Sequence, residues 1–453
     1  MTHFDLAIIG SGSGNSLVGP DFDHWRIAVI EESTFGGTCL NVGCIPTKMY
    51  VYPADLAGSP QHAARLGVDL RLDAVHWRQI RDRVFGRIDP ISAGGRIYRR
   101  EGKNTTLYEA HATFTGPHEL ALSTGETITA DRIVIATGSR AEIPELVAES
   151  EVPFHTSDTV MRIDELPERI AILGSGYIAC EFAHVFSAFG ARTSVIARSD
   201  RLLRKLDTDV SGAFTEQVAG RWDLHLGRLP HALHEKDGEI RIEFDDGSQV
   251  EADLLLVATG RRPNSDRLNL PAARVDVHPD GRVVVDVQQR TSVADLWALG
   301  DVSTEHQLKH VANHEARVVA HNLAHPDQLI AADHRYVPFA VFTHPQLASV
   351  GLTEEQARRD GVRYVTNTEG YGATAYGWAM EDTTSFCKVL ADPDTGRLLG
   401  AHLLGEQAAT LIQPIIQAMS FGVGAHEMAR GQYWIHPALT EVVENALLGL
   451  DLA

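Results

Sequence analysis

Cys39 and Cys44, five residues apart in FGGTCLNVGCIPTK, are the pair whose type and spacing most directly suggest chemistry. On a regular helix, positions i and i+5 are separated by ~7.5 Å along the axis, whereas a disulfide needs Cα atoms within ~6.8 Å. Pairing therefore requires a distorted turn, which Gly43 permits. A disulfide closing so small a loop can be opened and reformed, whereas a structural staple closes a longer one. Two reduced core cysteines and half a metal site are the competing readings, but there is no second closely spaced pair and no spacing that supplies further zinc ligands. The other cysteines, Cys180 and Cys387, read as buried apolar residues. Towards the C-terminus, His436 precedes Pro437 and lies five residues before Glu441. This pairs a group that titrates near neutral pH with a carboxylate able to fix its tautomer, and the proline restricts the histidine backbone to extended geometry.

Two glycine-rich turns offer phosphate chemistry. In FDLAIIGSGSGN, Gly10 and Gly12 allow a tight turn and close backbone approach to a pyrophosphate, with a helix N-terminus expected to follow. Glu31, 21 residues after Gly10, is placed to accept from a ribose hydroxyl. The third glycine of GxGxxG is missing: Asn15 stands there with Gly14 beside it, and Gly19-Pro20 cuts the helix short. An unliganded Gly-rich loop is the plain alternative. In the second turn, Gly174, Gly176 and Ala179 fit GxGxxA, and Arg198 replaces the expected acid, with Arg204 nearby. Arginine there suits a 2′-phosphate and predicts NADPH over NADH, a solvated basic patch being the alternative. His306, His310 and His314 fall at i, i+4 and i+8 on an expected helix, but one helix gives no complete ligand set, so no metal is predicted.

These residues must be positioned by a chain of 453 residues, long enough for about three domains. The strands FDLAIIG and RIAVIEE flank the first glycine turn, and RIAILG and TSVIAR flank the second; RIVIATGS and LLLVATGRRPN each close one unit. A first domain interrupted by an inserted second one follows: residues 1–145, then 146–265, then a return over 266–334. Residues 335–453 form a third, α+β domain, with strands in TTSFCKVLAD and RLLGAHLLG and an amphipathic helix through AATLIQPIIQAMSFG. The charge of −20, from 40 basic and 60 acidic residues, argues against nucleic acid and anionic membranes as partners. No apolar run approaches the ~18 residues of a membrane span, and the first residues read as a strand, so a cytoplasmic location is expected.

In order, GGTCLNVGCIPTK after a GxG βαβ unit, GSGYIACE, ATGRRPN, TSVADLWALGD and HPALTE resemble the full motif set of the class I flavoprotein disulfide reductases, over essentially the whole chain. That family includes the reductases of glutathione disulfide, lipoamide, mercuric ion and mycothione. The resemblance implies an α/β fold with two Rossmann-like domains, for FAD and NADPH, and a C-terminal domain that forms a homodimer. FAD would be held by Gly10, Gly12, Gly14, Glu31, Gly37, Thr38, Lys48, Thr137, Gly138 and Asp301, with Glu31 on the ribose and Asp301 on the ribityl chain. NADPH would be held by Gly174, Gly176, Tyr177, Ala179, Arg198, Arg204 and Gly260, with Tyr177 as the lid of the nicotinamide pocket. By the same resemblance Cys44 is the flavin-proximal cysteine and Cys39 the interchange thiol. Lys48 and Glu181 form an ion pair beside flavin N5, and His436 with Glu441 is the acid/base pair reaching in from the other subunit. His344-Pro345 resembles a family interface segment, although a plain structural turn is the preferred reading.

Within the family, Arg198 and Arg204 argue against lipoamide as substrate, and the tail GLDLA lacks the extra thiols of the mercuric branch. The GSGSGNS opening resembles the mycothione-reducing branch, whose substrate is the disulfide of a cysteinyl glucosamine-inositol pseudodisaccharide. Glutathione disulfide is the alternative. Electron transfer to quinones with idle cysteines, or a redox-inactive scaffold, would need no proton donor opposite Cys39 and Cys44.

Overall fold

The computed structural model describes residues 1–453, which arrange their strands in three main sheets. The first is built on Thr2–Ile9, whose later residues are almost all buried, the pattern of a strand covered on both faces. It pairs in parallel with Ile27–Glu31 on one side and Thr127–Ile135 on the other, in a register that brings Ile9 level with both Ile30 and Ile135. Thr105–Glu109 extends one edge in parallel. The strand Thr127–Ile135 is shared. Its first half takes the antiparallel hairpin Ala112–Gly116 and Glu119–Leu122, while its last residues take Leu296–Ala298 in parallel.

The second sheet contains Asp223–Leu226, Arg192–Ala197, Arg169–Leu173 and Leu254–Val257, all parallel. A three-stranded antiparallel sheet, Ala232–Lys236, Glu239–Glu243 and Gln249–Ala252, shares an apolar core with it. Ser139–Ala141 pairs with Arg261–Pro263 where the chain leaves and re-enters the first unit. The third sheet is wholly antiparallel, in the order Phe339–Val341, Gln346–Gly351, Leu398–Gly405, Phe386–Ala391, Val365–Gly370. The helix Glu441–Leu448 packs in its core. The fold is therefore α/β, with two nucleotide-binding-type sheets built on parallel strands, the first extended by an antiparallel hairpin, and an α+β C-terminal unit.

Three local expectations are corrected. No α-helix follows the first glycine turn: Ser13–Leu17 and Pro20–Phe22 are single 3-10 turns, because Gly19-Pro20 interrupts the chain. Any macrodipole there is correspondingly small. The expected helix through AATLIQPIIQAMSFG is two helices, Ala408–Leu411 and Gln413–Phe421, the second with Pro414 in its first turn. The helix expected to carry three histidines starts only at Lys309, so His306 lies outside it.

Candidate active site

The cysteine segment is a helix broken in the middle. Gly37–Asn41 ends, the backbone leaves helical geometry at Val42 and Gly43, and Cys44–Arg65 begins. Gly43 matters through close approach: a Cβ there would lie 2.9 Å from the Thr38 carbonyl oxygen and 3.3 Å from Cys39 Cα. The break is the distortion that the spacing demands, and it folds Cys39 back onto the start of a 22-residue helix. The neighbouring Cys44 side chain lowers the Cys39 thiol to about 7; burial opposes it, and the Lys309 charge and the backbone N–H groups of Cys44 and Ile45 add to the lowering. The Cys39 side chain, with burial, pushes the Cys44 thiol up.

Lys48 lies one helical turn after Cys44 and so on the same face. Tyr177 and Glu181 repeat that spacing on Tyr177–Ala188. The two faces meet where Lys48 Nζ donates to both Glu181 oxygens, at 2.6 and 2.5 Å. Glu181 is buried, and Phe342 N donates to it at 3.0 Å while the Phe342 ring lies 4.5 Å from the Lys48 ammonium. Below them, Tyr50, Trp77 and Phe186 pack ring on ring, with centroids 5.0 and 5.6 Å apart, and fix the helices against each other.

A cleft of about 2250 Å3 runs past both glycine turns, the cysteines and this ion pair. At one end, Gly10 adopts φ +108°, and a Cβ there would lie 2.3 Å from the Ala136 oxygen. Gly174 repeats the arrangement, with φ +132° and 2.2 Å to the Ala258 oxygen, so each ATG segment closes on the glycine of its own unit. Gly37 brings its backbone against Gly12, where a Cβ would come within 2.6 Å of Gly12 Cα. Thr38, Thr137 and Gly138 line the same wall. The Glu31 carboxylate receives Ser11 N and Oγ at 2.9 and 2.6 Å, and Ser33 N and Oγ at 2.9 and 3.0 Å, which hold it at the edge of the cleft. Thr137 Oγ1 and Asn41 Oδ1 are buried on this wall without a protein partner. Asp301 is oriented by Ser139 Oγ, which donates to it at 2.7 Å, and Arg261 donates in turn to Ser139. Narrow glycine walls, a held carboxylate at each end and unsatisfied polar atoms between them suit FAD.

At the other end Gly176, Tyr177, Arg198, Arg204 and Gly260 line the cleft. Neither arginine is engaged in an ion pair, whereas Arg140 and Arg267 on the same cleft are held by Asp266 and Glu32. Two free guanidinium groups there suit a phosphate.

Not every expected residue is brought to the cleft. Gly14 is buried against the sheet: a Cβ would sit 2.8 Å from the Ala136 side chain and 2.9 Å from Ile8. It supplies the close packing normally given by the third glycine, one position early, while Asn15 accepts from the buried Arg99 at 2.6 Å. Ala179 is also fully buried and acts through packing. His436 and Glu441 lie outside the cleft within one chain. His436 Nδ1 and Glu441 Oε1 are 2.7 Å apart, the bond holding the Glu441 carboxyl below its usual range, and the His436 side chain is 70% exposed. Beside it stand the exposed Tyr433 and Ile435. His310 and His314 are engaged by the Pro338 carbonyl and the Asp333 N–H, and no cluster of His, Cys, Asp or Glu suits a metal. Sequence reading missed Ser139, whose role depends on a partner 162 residues away, and Lys309.

The chain matches known proteins over nearly its whole length. Residues 4–316 match the model described as pyridine nucleotide-disulphide oxidoreductase, and residues 337–447 its dimerisation domain. The chain is 53% identical over 459 residues to the mycothione reductase of Mycobacterium tuberculosis, covering 99% of this chain and 100% of that one. It is 32% identical over 450 residues to the glutathione reductase of Burkholderia cepacia, covering 97% of each. Among solved structures, the HOCl-induced flavoprotein disulfide reductase RclA of Escherichia coli superposes with a TM-score of 0.87 at 27% identity, covering 98% of this chain and 99% of that one.

Proposed function

Because the chain belongs to the pyridine nucleotide-disulphide oxidoreductase family, as an FAD-containing disulfide oxidoreductase using FAD and NADPH, we propose that it reduces mycothione to mycothiol through Cys39 and Cys44. The observation that carries the substrate is the full-length identity of 53% to a mycothione reductase, against 32% to a glutathione reductase. NADPH as the preferred donor is supported by Arg198 and Arg204, unpaired on the cleft wall.

Bound in the cleft, FAD supplies a two-electron relay between NADPH and the cysteine pair. Reduction of the Cys39–Cys44 disulfide leaves a thiolate on Cys39, for which the Cys44 thiol and the start of Cys44–Arg65 provide hydrogen bonds. Cys39 attacks one sulfur of the substrate, forming a mixed disulfide and expelling the first thiol. His436, held by Glu441, protonates that leaving group. Cys44 then attacks Cys39, releases the second thiol and restores the disulfide, so that NADPH, one proton and one disulfide give NADP+ and two thiols. Since His436 lies outside the cleft of its own chain, the proton is supplied by a second copy in a homodimer, for which the exposed Tyr433 and Ile435 provide apolar surface.

NADPH oxidation with mycothione, glutathione disulfide, lipoamide and a quinone, under matched conditions, tests the reading. The highest kcat/KM is expected with mycothione, and replacing Arg198 and Arg204 together by glutamine should raise KM for NADPH while leaving NADH turnover unchanged. Preference for glutathione disulfide would overturn the substrate, and turnover of quinone alone would overturn the cysteine chemistry.

A further inference from the structure

The turn that carries Asp301 to the cleft is held by a carboxylate from a different element. Gly300 turns the chain beyond Leu296–Ala298 with φ +74°, its carbonyl accepting Ser303 N and Thr304 N at 2.8 and 3.0 Å. The N–H of the buried Gly300 donates to Glu315 Oε2 at 2.7 Å. Glu315 lies in the second turn of the helix Lys309–Ala324, and its side chain is 1% exposed. A peptide N–H needs only a neutral acceptor, which would be buried at far lower cost than a carboxylate. The other Glu315 oxygen has a single charged partner, His334 Nε2, at 3.0 Å, and that nitrogen is itself buried with no hydrogen bond elsewhere. The His334 ring stands against two more imidazoles, His306 and His314, with centroids 5.7 and 6.4 Å away. His306 lines the cleft, as Asp301 does.

We propose that Glu315 is a positioning residue for FAD: its buried carboxylate fixes the Gly300–Asp301 turn, and the His334 imidazole beside it makes that hold loosen as pH rises. The inference rests on the reading of Asp301 as a FAD contact and names what holds that contact in place. Groups facing His334 come from three elements. Lys309–Ala324 presents Glu315 and His314, with Arg317 beside His314 and with His310 bonded to the Pro338 carbonyl. The chain after Asp301 presents Glu305 and His306. Its own segment presents Asp333, which Arg335 engages at 2.7 Å. His314 Nε2 accepts from Asp333 N at 3.1 Å, so that nitrogen carries no proton. Glu315 raises His334 above the usual histidine value against burial, with Asp333 and Glu305 adding, whereas burial foremost lowers His306 and His314. The proton of the cluster therefore sits on the imidazole beside Glu315. A raised histidine contributes its stabilisation below the ordinary value and loses it as pH rises through the raised one. Glu315 is then a buried anion facing a neutral ring, with one N–H left to hold it.

The test is the rate of FAD release from the loaded protein in guanidinium chloride below the unfolding transition, followed by flavin fluorescence between pH 6 and pH 9. The wild-type rate should rise several-fold across that range. Glu315→Gln should flatten the profile, and His334→Gln should release FAD at pH 6 as fast as the wild type does at pH 9. His334→Lys, cationic throughout, should keep release slow at pH 9. Asp301→Asn should release FAD faster with the pH slope preserved. A wild-type rate independent of pH, or a slope that survives in both Glu315→Gln and His334→Gln, overturns the proposal, because a merely structural Glu315 would change the rate and not the slope. The His334 side chain is 32% exposed, so its variants carry the test should Glu315→Gln fail to load FAD. Release at the wild-type rate from Asp301→Asn would instead overturn the cofactor contact on which the proposal rests, a result distinct from a surviving slope.

Discussion

At the residue scale, the four cysteines divide sharply by environment. Cys39 is half-buried in the short helix Gly37–Asn41, with its thiol near 7, while Cys180 and Cys387 are fully buried and burial pushes both thiols up, Cys387 to about 12. Thiolate, not thiol, is the reacting species. Limited alkylation of the reduced protein should therefore label Cys39 first, with a rate that climbs through pH 7, and should reach Cys180 and Cys387 only after denaturation. Labelling of either buried cysteine at a comparable rate in the folded protein would contradict this order. Cys39 and Cys44 were legible because a disulfide at their spacing needs a break in the helix, and Gly43 stands where the break falls. The placement of Lys309 was not, since nothing in HQLKHVAN marks a lysine that bonds a serine 296 positions earlier.

At the element scale, one buried cluster joins the second unit to the third. Lys388, on the strand Phe386–Ala391, donates to Asp207 at 2.9 Å and to Asp209 and Glu354 at 2.6 Å. Asp207 also caps the helix Thr208–Val218, and Glu354 begins Glu354–Arg359 behind a Thr353 capping box. Burial works against ionisation of Asp207 and Glu354, but the Lys388 hydrogen bonds and charge, together with the Glu354 N–H on Asp207 and the Tyr364 hydroxyl on Glu354, outweigh it and hold both carboxyls below their usual range. Stability from these depressed groups is present above the ordinary carboxylate pKa and is lost as pH falls through their lowered values. Lys388→Met should cost about 3–5 kcal/mol near neutral pH, by leaving buried carboxylates uncompensated. The difference from wild type should narrow towards pH 4, as those acids protonate. Urea denaturation at both pH values checks this, and an equal loss at each would mean that packing, not charge, is responsible. The glycine turns teach a related lesson. The motif broken at Asn15 is rescued by Gly14, which packs under 3 Å-scale constraints against Ile8 and Ala136 that only the neighbouring strands define.

At the scale of the whole molecule, no helix is long and apolar enough to cross a membrane. The open question is how the proton donor reaches the thiols. His436 with Glu441 is complete as a pair but stands apart from the cleft of its own chain. If a second copy supplies it, a mixed dimer of one Cys39→Ser and one His436→Gln subunit contains one intact site. It should recover about half the disulfide reduction of the wild-type dimer, although each homodimeric variant is nearly inactive. Co-expression with two affinity tags and assay of the doubly purified species measures it, and no recovery would place His436 in the same chain's site.

The sequence by itself determined the parts whose chemistry is local. Strands of continuous apolar residues ending in glycine, two glycine-rich turns, the break between Cys39 and Cys44 and the hydrogen-bonded His436–Glu441 pair are all set by neighbours within a few residues. Element ends were less legible, as the 3-10 turns after Gly12 and the late start of Lys309–Ala324 show, because they depend on prolines and caps that compete with periodicity. Only the tertiary structure decided the pairings that span the chain: Lys48 with Glu181, Ser139 with Asp301, Lys309 with Ser13, and the exclusion of His436 from its own cleft. The physical reason is that a side chain's charge state and partners are fixed by what packing brings within about 3 Å, and packing joins residues 133, 162 and 296 positions apart on which local sequence exerts no direct force.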